Sequence, residues 1–164
     1  MFVQVPHYDD AGRFHKRKSP RLQNYDYAQP NYYFITICTN GKQCLFGTLD
    51  QLSKSGQIAD AAFAEIPKHF QNVTIDKYVV MPNHVHAIVA VHGEGTHISL
   101  VIGHYKSYVS RQIHLAEPNK KIWQDSFHDH VIRNQADYSR IWAYIDTNPA
   151  KWDNDCFYCS HSKE

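Results

Sequence analysis

The chain has 164 residues, a formal net charge of +1 and a hydrophobic fraction of 43%. These values are typical of one globular domain, and the small net charge does not by itself indicate a nucleic-acid-binding protein. No apolar segment approaches the ~20 residues that a membrane-spanning helix needs. Polar residues also interrupt the N-terminal segment where a secretion signal would have an apolar core. We therefore expect a cytoplasmic protein with no membrane partner.

The two ends of the chain lack the patterns of regular structure. Prolines and a glycine interrupt residues 1–29, so we expect an N-terminal arm there. The basic cluster between positions 13 and 21 is interpreted as a solvated part of this arm. Residues 30–155 are expected to form a single domain, and residues 156–164 a C-terminal tail. Cys156 and Cys159 have the spacing of half a zinc site or of a redox pair, but nothing in the spacing requires a second half, and we assign them no function.

Hydrophobic patterns predict seven elements in this domain. β-Branched and aromatic residues predict strands at 31–39, 73–81, 84–91 and 121–133. Apolar residues recurring every three or four positions predict helices at 55–70, 98–115 and 135–147. Pro67 lies inside the first helical pattern and should kink or end its last turn.

The order of the elements predicts the fold. Strand, helix, strand, strand, helix, strand and helix match a ferredoxin-like, split βαβ arrangement of the α+β class, with one added C-terminal helix. Two helices would then cover one face of an antiparallel sheet. The opposite face would be available for a functional site.

A histidine pair opens the third predicted strand. Pro82 and Asn83 are typical turn residues and predict a β-hairpin whose second strand begins at His84. Because side chains alternate along a strand, His84 and His86 would lie on the same face. Two unpartnered imidazoles would be costly to bury, and a metal ion or a hydrated cleft would remove that cost. Hydrogen bonds from the two rings to neighbouring backbone are the alternative.

The last predicted helix carries a second pair of candidates. Tyr144 and Asn148 are four residues apart, so they would lie one above the other on the flank of its apolar face. A side chain there can be partly held and still reach a cleft. The alternatives are a boundary tyrosine bonded to water and an asparagine that ends the helix.

These residues fall within a series of segments that resembles the single-tyrosine HUH transposases. The best match is to the REP-associated tyrosine transposases and related insertion-sequence transposases. Residues 79–86 contain two histidines around a hydrophobic residue, which is the HUH motif. Further matching segments lie, in the same order, at 21–27, 33–39, 105–107, 122–124, 130–134 and 144–149.

The resemblance implies a site and a reaction. Tyr144 would be the nucleophile, His84 and His86 would bind a divalent metal (Mg²⁺ or Mn²⁺), and Asn148 would supply a third ligand. Relatives often have glutamine at that last position, which is longer than asparagine. The implied substrate is single-stranded or hairpin DNA, cleaved through a covalent 5′-phosphotyrosine intermediate by a monomer or a homodimer.

Four further residues are candidates for contacts with DNA. Lys106, Arg111 and Arg133 could pair with phosphates, and Trp123 could stack on an unpaired base. Trp123 could equally be a buried anchor of the fourth strand, and Arg133 could contact backbone near the following helix. Two other functions stay open at this point. One is a nucleic-acid-binding module that no longer transposes, and the other is a metal-dependent phosphodiesterase that uses water.

Overall fold

The computed structural model describes residue 22, residues 24–155 and residues 157–158. The basic cluster, Cys156, Cys159 and most of the predicted arm and tail lie outside these residues. Within them, no helix has the length and apolar character needed to cross a membrane.

A four-stranded antiparallel sheet forms the centre of the fold. Its strands are β1 (Asn31–Cys38), β2 (Val73–Met81), β3 (His84–Val91) and β4 (His128–Ile132), in the spatial order β2-β3-β1-β4. Pro82 and Asn83 form the predicted turn, because Met81 and His84 on either side of them are paired. This order and the helices described next confirm the predicted ferredoxin-like fold.

One face of the sheet carries the main hydrophobic core. The helices α1 (Lys54–Ala62), α2 (Ile66–His69) and α3 (Ile98–His114) belong to this side of the molecule. Side chains alternate between the faces of a strand, and the odd-numbered residues of β1 and β3 point toward the helices. Buried members of this core include Tyr33, Ile35, Ile37, Ala59, Val89, Val101, Tyr105 and Val109.

The opposite face carries the last helix, α4 (Gln135–Thr147). The Asn134 side chain accepts a hydrogen bond from the backbone N–H of Asp137 at 2.8 Å, which satisfies one free donor of the first turn. Ile141 and Ile145 are buried against Ile88 and Ile132 of the sheet. The bounds of α4 equal the predicted ones, and the helix covers only part of this face.

The first predicted helix is broken into two helices. A 3-10 segment, Phe63–Glu65, separates α1 from α2, so the predicted helix is interrupted just before Pro67 and continues for one short turn. The reason is that proline lacks a backbone N–H, which is tolerated in a first turn, where that N–H has no helical partner. Pro67 accordingly lies at the beginning of α2.

The fourth predicted strand was too long. Only His128–Ile132 forms β4, and the segment before it is irregular. Ser126 has a positive φ of 66°, which interrupts an extended strand. Residues 122–124 nevertheless contact β1: Thr39 and Trp123 form an isolated bridge, and Gln124 N–H donates to the Cys38 carbonyl at 2.9 Å.

Gly56 permits a close contact that fixes α1 against the preceding loop. A Cβ at this position would lie 2.2 Å from the Phe46 carbonyl oxygen. We expect Gly56→Ala to lower the free energy of unfolding by about 1–3 kcal/mol, because backbone would have to move. Gly103 lies in α3 with nothing within 4 Å of its Cβ position, so Gly103→Ala should raise the free energy by up to about 1 kcal/mol. Urea denaturation of both variants checks this pair, and equal stabilities would contradict it.

Candidate metal centre and its tyrosine

Two buried imidazoles lie side by side on the central strand. In the sheet, His84 pairs with Cys38 and His86 pairs with Thr36, and β2 flanks them on the other side. Both side chains point to the face that carries α4, and both are buried. Their Nε2 atoms are 3.1 Å apart. The predicted pair is therefore preorganised on a strand that is hydrogen-bonded along both edges.

Hydrogen bonds to the other ring nitrogens favour Nε2 as the metal-binding atom. The amide nitrogen of Asn83 donates to the backbone carbonyls of Lys42 and Phe157, at 3.1 and 2.7 Å. Its Oδ1 therefore faces Nδ1 of His84, at 2.8 Å, and accepts the proton of that nitrogen. A neutral His84 with hydrogen on Nδ1 has a lone pair on Nε2. Hydrogen bonds of this kind orient metal-binding histidines in proteins.

His86 has a partner that suits either tautomer. The Thr36 hydroxyl lies 2.8 Å from Nδ1 of His86. A hydroxyl can donate or accept, so Thr36 can hold His86 with hydrogen on either nitrogen. The ring can thus donate from Nε2 to His84 when no cation is bound, and it can present a lone pair there when one is.

Burial favours the uncharged form of both rings. It lowers the pKa of His84 to about 3, and the Asn148 side chain opposes part of this shift. Burial and the neighbouring His84 lower the pKa of His86 well below the usual value. Neutral imidazole is the form that binds metals.

An amide oxygen and a carboxylate complete the cluster. Asn148 ends α4 and is 2% exposed, and its Oδ1 is buried without a hydrogen-bond partner among the described residues. Its amide nitrogen donates to Oδ2 of Asp155 at 2.8 Å. One ligand atom each from His84, His86 and Asp155 lie within 4.8 Å of one another. Since a buried acceptor without a donor is unfavourable, these lone pairs fit a divalent cation.

Tyr144 lies at the outer side of this cluster. Its hydroxyl is 3.5 Å from Nε2 of His86, and its ring meets the His86 ring at a centroid distance of 5.3 Å. The Tyr144 ring also lies nearly perpendicular to the Phe34 ring, at a centroid distance of 5.9 Å. Tyr144 is 40% exposed, whereas Trp152 and Phe157, which cover His84 from the other side, are buried. The structure therefore brings together all four residues predicted for the site.

Two of the predicted DNA-binding residues have structural contacts. The Lys106 ammonium donates to the carbonyls of Gln124 and Ser126, at 2.9 Å each, and so ties the irregular segment to α3. Trp123 is 6% exposed, and its Nε1–H donates to the Lys106 carbonyl at 3.1 Å. The structure does not support base stacking at Trp123 and agrees with the alternative of a buried anchor.

The two predicted arginines lie on opposite sides of the sheet. Arg111 is exposed on α3, which packs on the face away from the histidines. Arg133 is exposed between β4 and α4. It lines a cavity of about 490 Å³ with Asn31, Tyr32, Ile132, Asn134, Gln135 and Tyr138. Tyr32 shares its sheet face with Thr36, so this cavity opens on the same side as the histidine pair.

Sequence reasoning missed three residues of the site. Asn83 was interpreted only as part of a turn, although it also orients His84. Thr36 occurs in an ordinary strand pattern, and only the register with His86 reveals its role. Asp155 follows the last predicted helix by several residues, and no spacing rule connects it to the histidines. A motif search centred on 79–86 could have found Asn83 but not the other two.

The fold and the site have the layout that the sequence resemblance implied, a ferredoxin-like sheet with a histidine pair and a tyrosine-bearing helix on one face. The family described as "Transposase IS200 like" matches this chain over residues 27–148. The match covers well over half of the chain, and the chain therefore belongs to the IS200-like transposase family. Transposases are DNA-cleaving enzymes of DNA recombination.

Individual relatives agree with this assignment. A Haemophilus influenzae protein without an assigned function is 31% identical over 169 residues, covering 88% of this chain and 94% of the relative. A proposed REP-associated tyrosine transposase of the same organism is 24% identical over 142 residues, covering 79% and 77% of the two chains. Among solved structures, a REP-associated tyrosine transposase bound to a REP hairpin matches with a TM-score of 0.60. It is 26% identical, and the match covers 80% of this chain and 73% of that chain.

Proposed function

We propose that this protein is a metal-dependent DNA strand transferase that cleaves single-stranded, hairpin-flanked DNA through a 5′-phosphotyrosine intermediate. The observation that carries the proposal is the position of the Tyr144 hydroxyl, 3.5 Å from Nε2 of His86 at the edge of the candidate metal centre. A nucleophile and a cation site this close can act on the same phosphate.

The tyrosine would act as a covalent nucleophile. Its phenolic oxygen attacks the scissile phosphorus, the phenolic proton is lost, and the bond between phosphorus and the 3′ oxygen breaks. The departing oxygen takes up a proton and becomes a 3′-hydroxyl. Because the phosphodiester energy is kept in the phosphotyrosine bond, a 3′-hydroxyl can attack that bond in turn. The net result is strand transfer, in which no water is consumed.

The residues that would hold the cation are His84, His86 and Asn148. A bound Mg²⁺ or Mn²⁺ would polarise the phosphate and offset its developing negative charge. Asn83 and Thr36 fix the ring orientations from the opposite nitrogens. Tyr144 presents its hydroxyl from the exposed side, where a DNA strand can approach. Its phenol needs activation, since an ordinary tyrosine pKa is about 10.

Two observations support single-stranded, hairpin-flanked DNA as the substrate class: the solved structure of a similar transposase and the open surface beside α4. The solved relative is described as bound to a REP hairpin. In this chain, Arg133 and the exposed Tyr32 line the cavity on the same sheet face as Tyr144. A guanidinium for phosphate and an aromatic ring for an unpaired base are suited to single-stranded DNA.

A covalent-adduct assay tests the proposal. Hairpin DNA from the flanks of the gene, labelled at the 5′ or the 3′ end, is mixed with protein and Mn²⁺ or Mg²⁺ and separated under denaturing conditions. We expect one labelled half to stay on the protein through its 5′ phosphate, and only with metal. Binding without an adduct on several flank sequences would favour a non-transposing DNA-binding module. Cleavage without an adduct would favour a phosphodiesterase that uses water.

The two exposed arginines provide a test of where DNA binds. We expect Arg133→Ala to weaken hairpin binding about threefold to tenfold and to reduce the salt dependence by about one counterion, because Arg133 is on the side of the site. Arg111→Ala removes the same charge from the opposite face and should have the smaller effect. Fluorescence anisotropy at several salt concentrations measures both. A larger effect of Arg111→Ala would indicate that DNA binds on the opposite face of the sheet.

A further inference from the structure

We infer that Asp155 is a positioning residue of the metal centre, which turns the Asn148 amide so that its oxygen faces the cation. This inference rests on the proposed function, and it adds a residue that the implied ligand set does not contain. Its basis is one hydrogen bond, one buried acceptor without a donor, and the anchoring of the segment that carries Asp155.

The hydrogen bond determines which end of the amide faces the histidines. An ionised carboxylate only accepts, so the group that faces Oδ2 of Asp155 at 2.8 Å must be the NH₂ of Asn148. Oδ1 is then the amide atom that points away from Asp155. This oxygen is buried and has no donor within the described part of the chain. Reversing the amide would place oxygen against carboxylate.

Asp155 is itself held firmly enough to act in this way. Its Oδ1 accepts from the backbone N–H of Phe157 at 2.8 Å, and its own backbone N–H donates to the Trp152 carbonyl at 2.9 Å. The Phe157 ring packs on the His84 ring at a centroid distance of 4.6 Å. Residues 149–154 form a 3-10 helix that connects this anchored turn to the end of α4. The carboxylate is thus fixed relative to both Asn148 and His84.

The length of the Asn148 side chain is a reason for a supporting carboxylate. Asp155 lies seven residues after Asn148 in the sequence and contacts its amide. Asparagine has one methylene fewer than glutamine, so its amide has less reach and its orientation matters more. A carboxylate behind the amide secures that orientation, and its negative charge also favours a cation nearby.

A double-mutant cycle on Mn²⁺ affinity tests the inference. Metal-free protein is titrated with Mn²⁺ by calorimetry for wild type, Asp155→Ala, Asn148→Ala and the double variant. We expect Asp155→Ala to raise the Kd about 10- to 100-fold, as loss of such supporting groups does. If Asp155 acts through Asn148, the double variant should bind no more weakly than Asn148→Ala alone. The cycle needs no DNA and no catalytic activity.

Two controls distinguish the positioning role of Asp155 from a general effect of negative charge and from a loss of folding. Asp153 is exposed on the same 3-10 helix, and Asp153→Ala should leave the Kd unchanged. Metal-free melting shows whether each variant folds, and Asp155→Leu, which keeps the shape of the side chain but has no acceptor, replaces Asp155→Ala if the latter does not fold. A wild-type Kd in the folded Asp155 variant would overturn this inference and leave the proposed function standing. Additive losses would overturn it too, because Asp155 would then act on the cation directly. Absence of Mn²⁺ binding by wild type would instead overturn the metal centre of the proposed function, and this inference with it.

Discussion

Tyr144→Phe is expected to abolish the covalent DNA adduct while leaving hairpin binding almost unchanged. The substitution removes only the hydroxyl that lies 3.5 Å from Nε2 of His86, and phenylalanine keeps the ring contacts with Phe34 and His86. Loss of a catalytic nucleophile lowers the rate by at least about a thousandfold. Because Tyr144 is partly exposed, the variant should also fold normally. Denaturing electrophoresis measures the adduct, and anisotropy measures binding.

Tyr138→Phe is the matched control on the same helix. The Tyr138 hydroxyl donates to Asp76 at 2.9 Å, and burial followed by this bond raises its pKa to about 12. Tyr138 is therefore a weaker candidate nucleophile, and its phenylalanine variant should keep the adduct. An adduct that is still formed by Tyr144→Phe but not by Tyr138→Phe would identify Tyr138 as the nucleophile. An adduct that survives in both would exclude both tyrosines.

His84→Ala is expected to remove the stabilisation by Mn²⁺ and, with it, the adduct. A ligand present at 100 times its Kd stabilises the folded state by about 2.7 kcal/mol. For a chain of this size that is a rise in Tm of about 5–10 °C. His84 supplies one of the converging lone pairs, so the variant should show almost no rise. Thermal melts with and without Mn²⁺ check this directly.

The comparison between two histidines of the same region makes this test specific. His92 follows β3 directly, is exposed, and its Nε2 contacts the Thr74 hydroxyl at 2.8 Å. His92→Ala removes an imidazole without touching the candidate site, and it should keep both the Mn²⁺ shift and the adduct. The metal-free melt of His84→Ala reports separately on the lost packing against Trp152 and Phe157. A full Mn²⁺ shift in His84→Ala would contradict the metal centre.

The parts of the fold that were predictable depend on local patterns. The hairpin turn at Pro82 and the bounds of α4 follow from turn chemistry and helical periodicity, and both were correct. The fourth strand was overextended because residues 122–124 do bond to β1 while Ser126, with a positive φ, interrupts the strand. Nothing in an alternating apolar pattern marks such an interruption. Helical periodicity predicts Trp142 on the apolar face of α4 with Ile141 and Ile145, but it is 37% exposed and has the Lys77 ammonium over its ring.

The residues of the candidate site likewise fall into two groups, those that the local sequence could identify and those that it could not. His84, His86, Tyr144 and Asn148 could be found because each occupies a fixed place in a recognisable segment. Thr36 and Asp155 could not be found, since they reach the site through strand register and through a turn after the last helix. Arg111 and Arg133 were equivalent in the sequence, and only the assignment of residues to faces of the sheet distinguishes them.

The histidine pair lies on β3 and Tyr144 lies on α4, and the backbone amides of these two elements should exchange with different free energies of opening. The backbone of β3 is hydrogen-bonded to β1 and β2 along its whole length, so amide protons at His84 and His86 should exchange only when the protein unfolds globally. The helix α4 rests on one side of the sheet through Ile141 and Ile145, and its amides should exchange through local opening at lower free energy. The histidine pair is therefore expected on the more stable element, and Tyr144 and Asn148 on the less stable one. Native-state hydrogen exchange would measure this difference, and a proposed site that closes only when α4 is in place would then be sensitive to local opening that leaves the sheet intact.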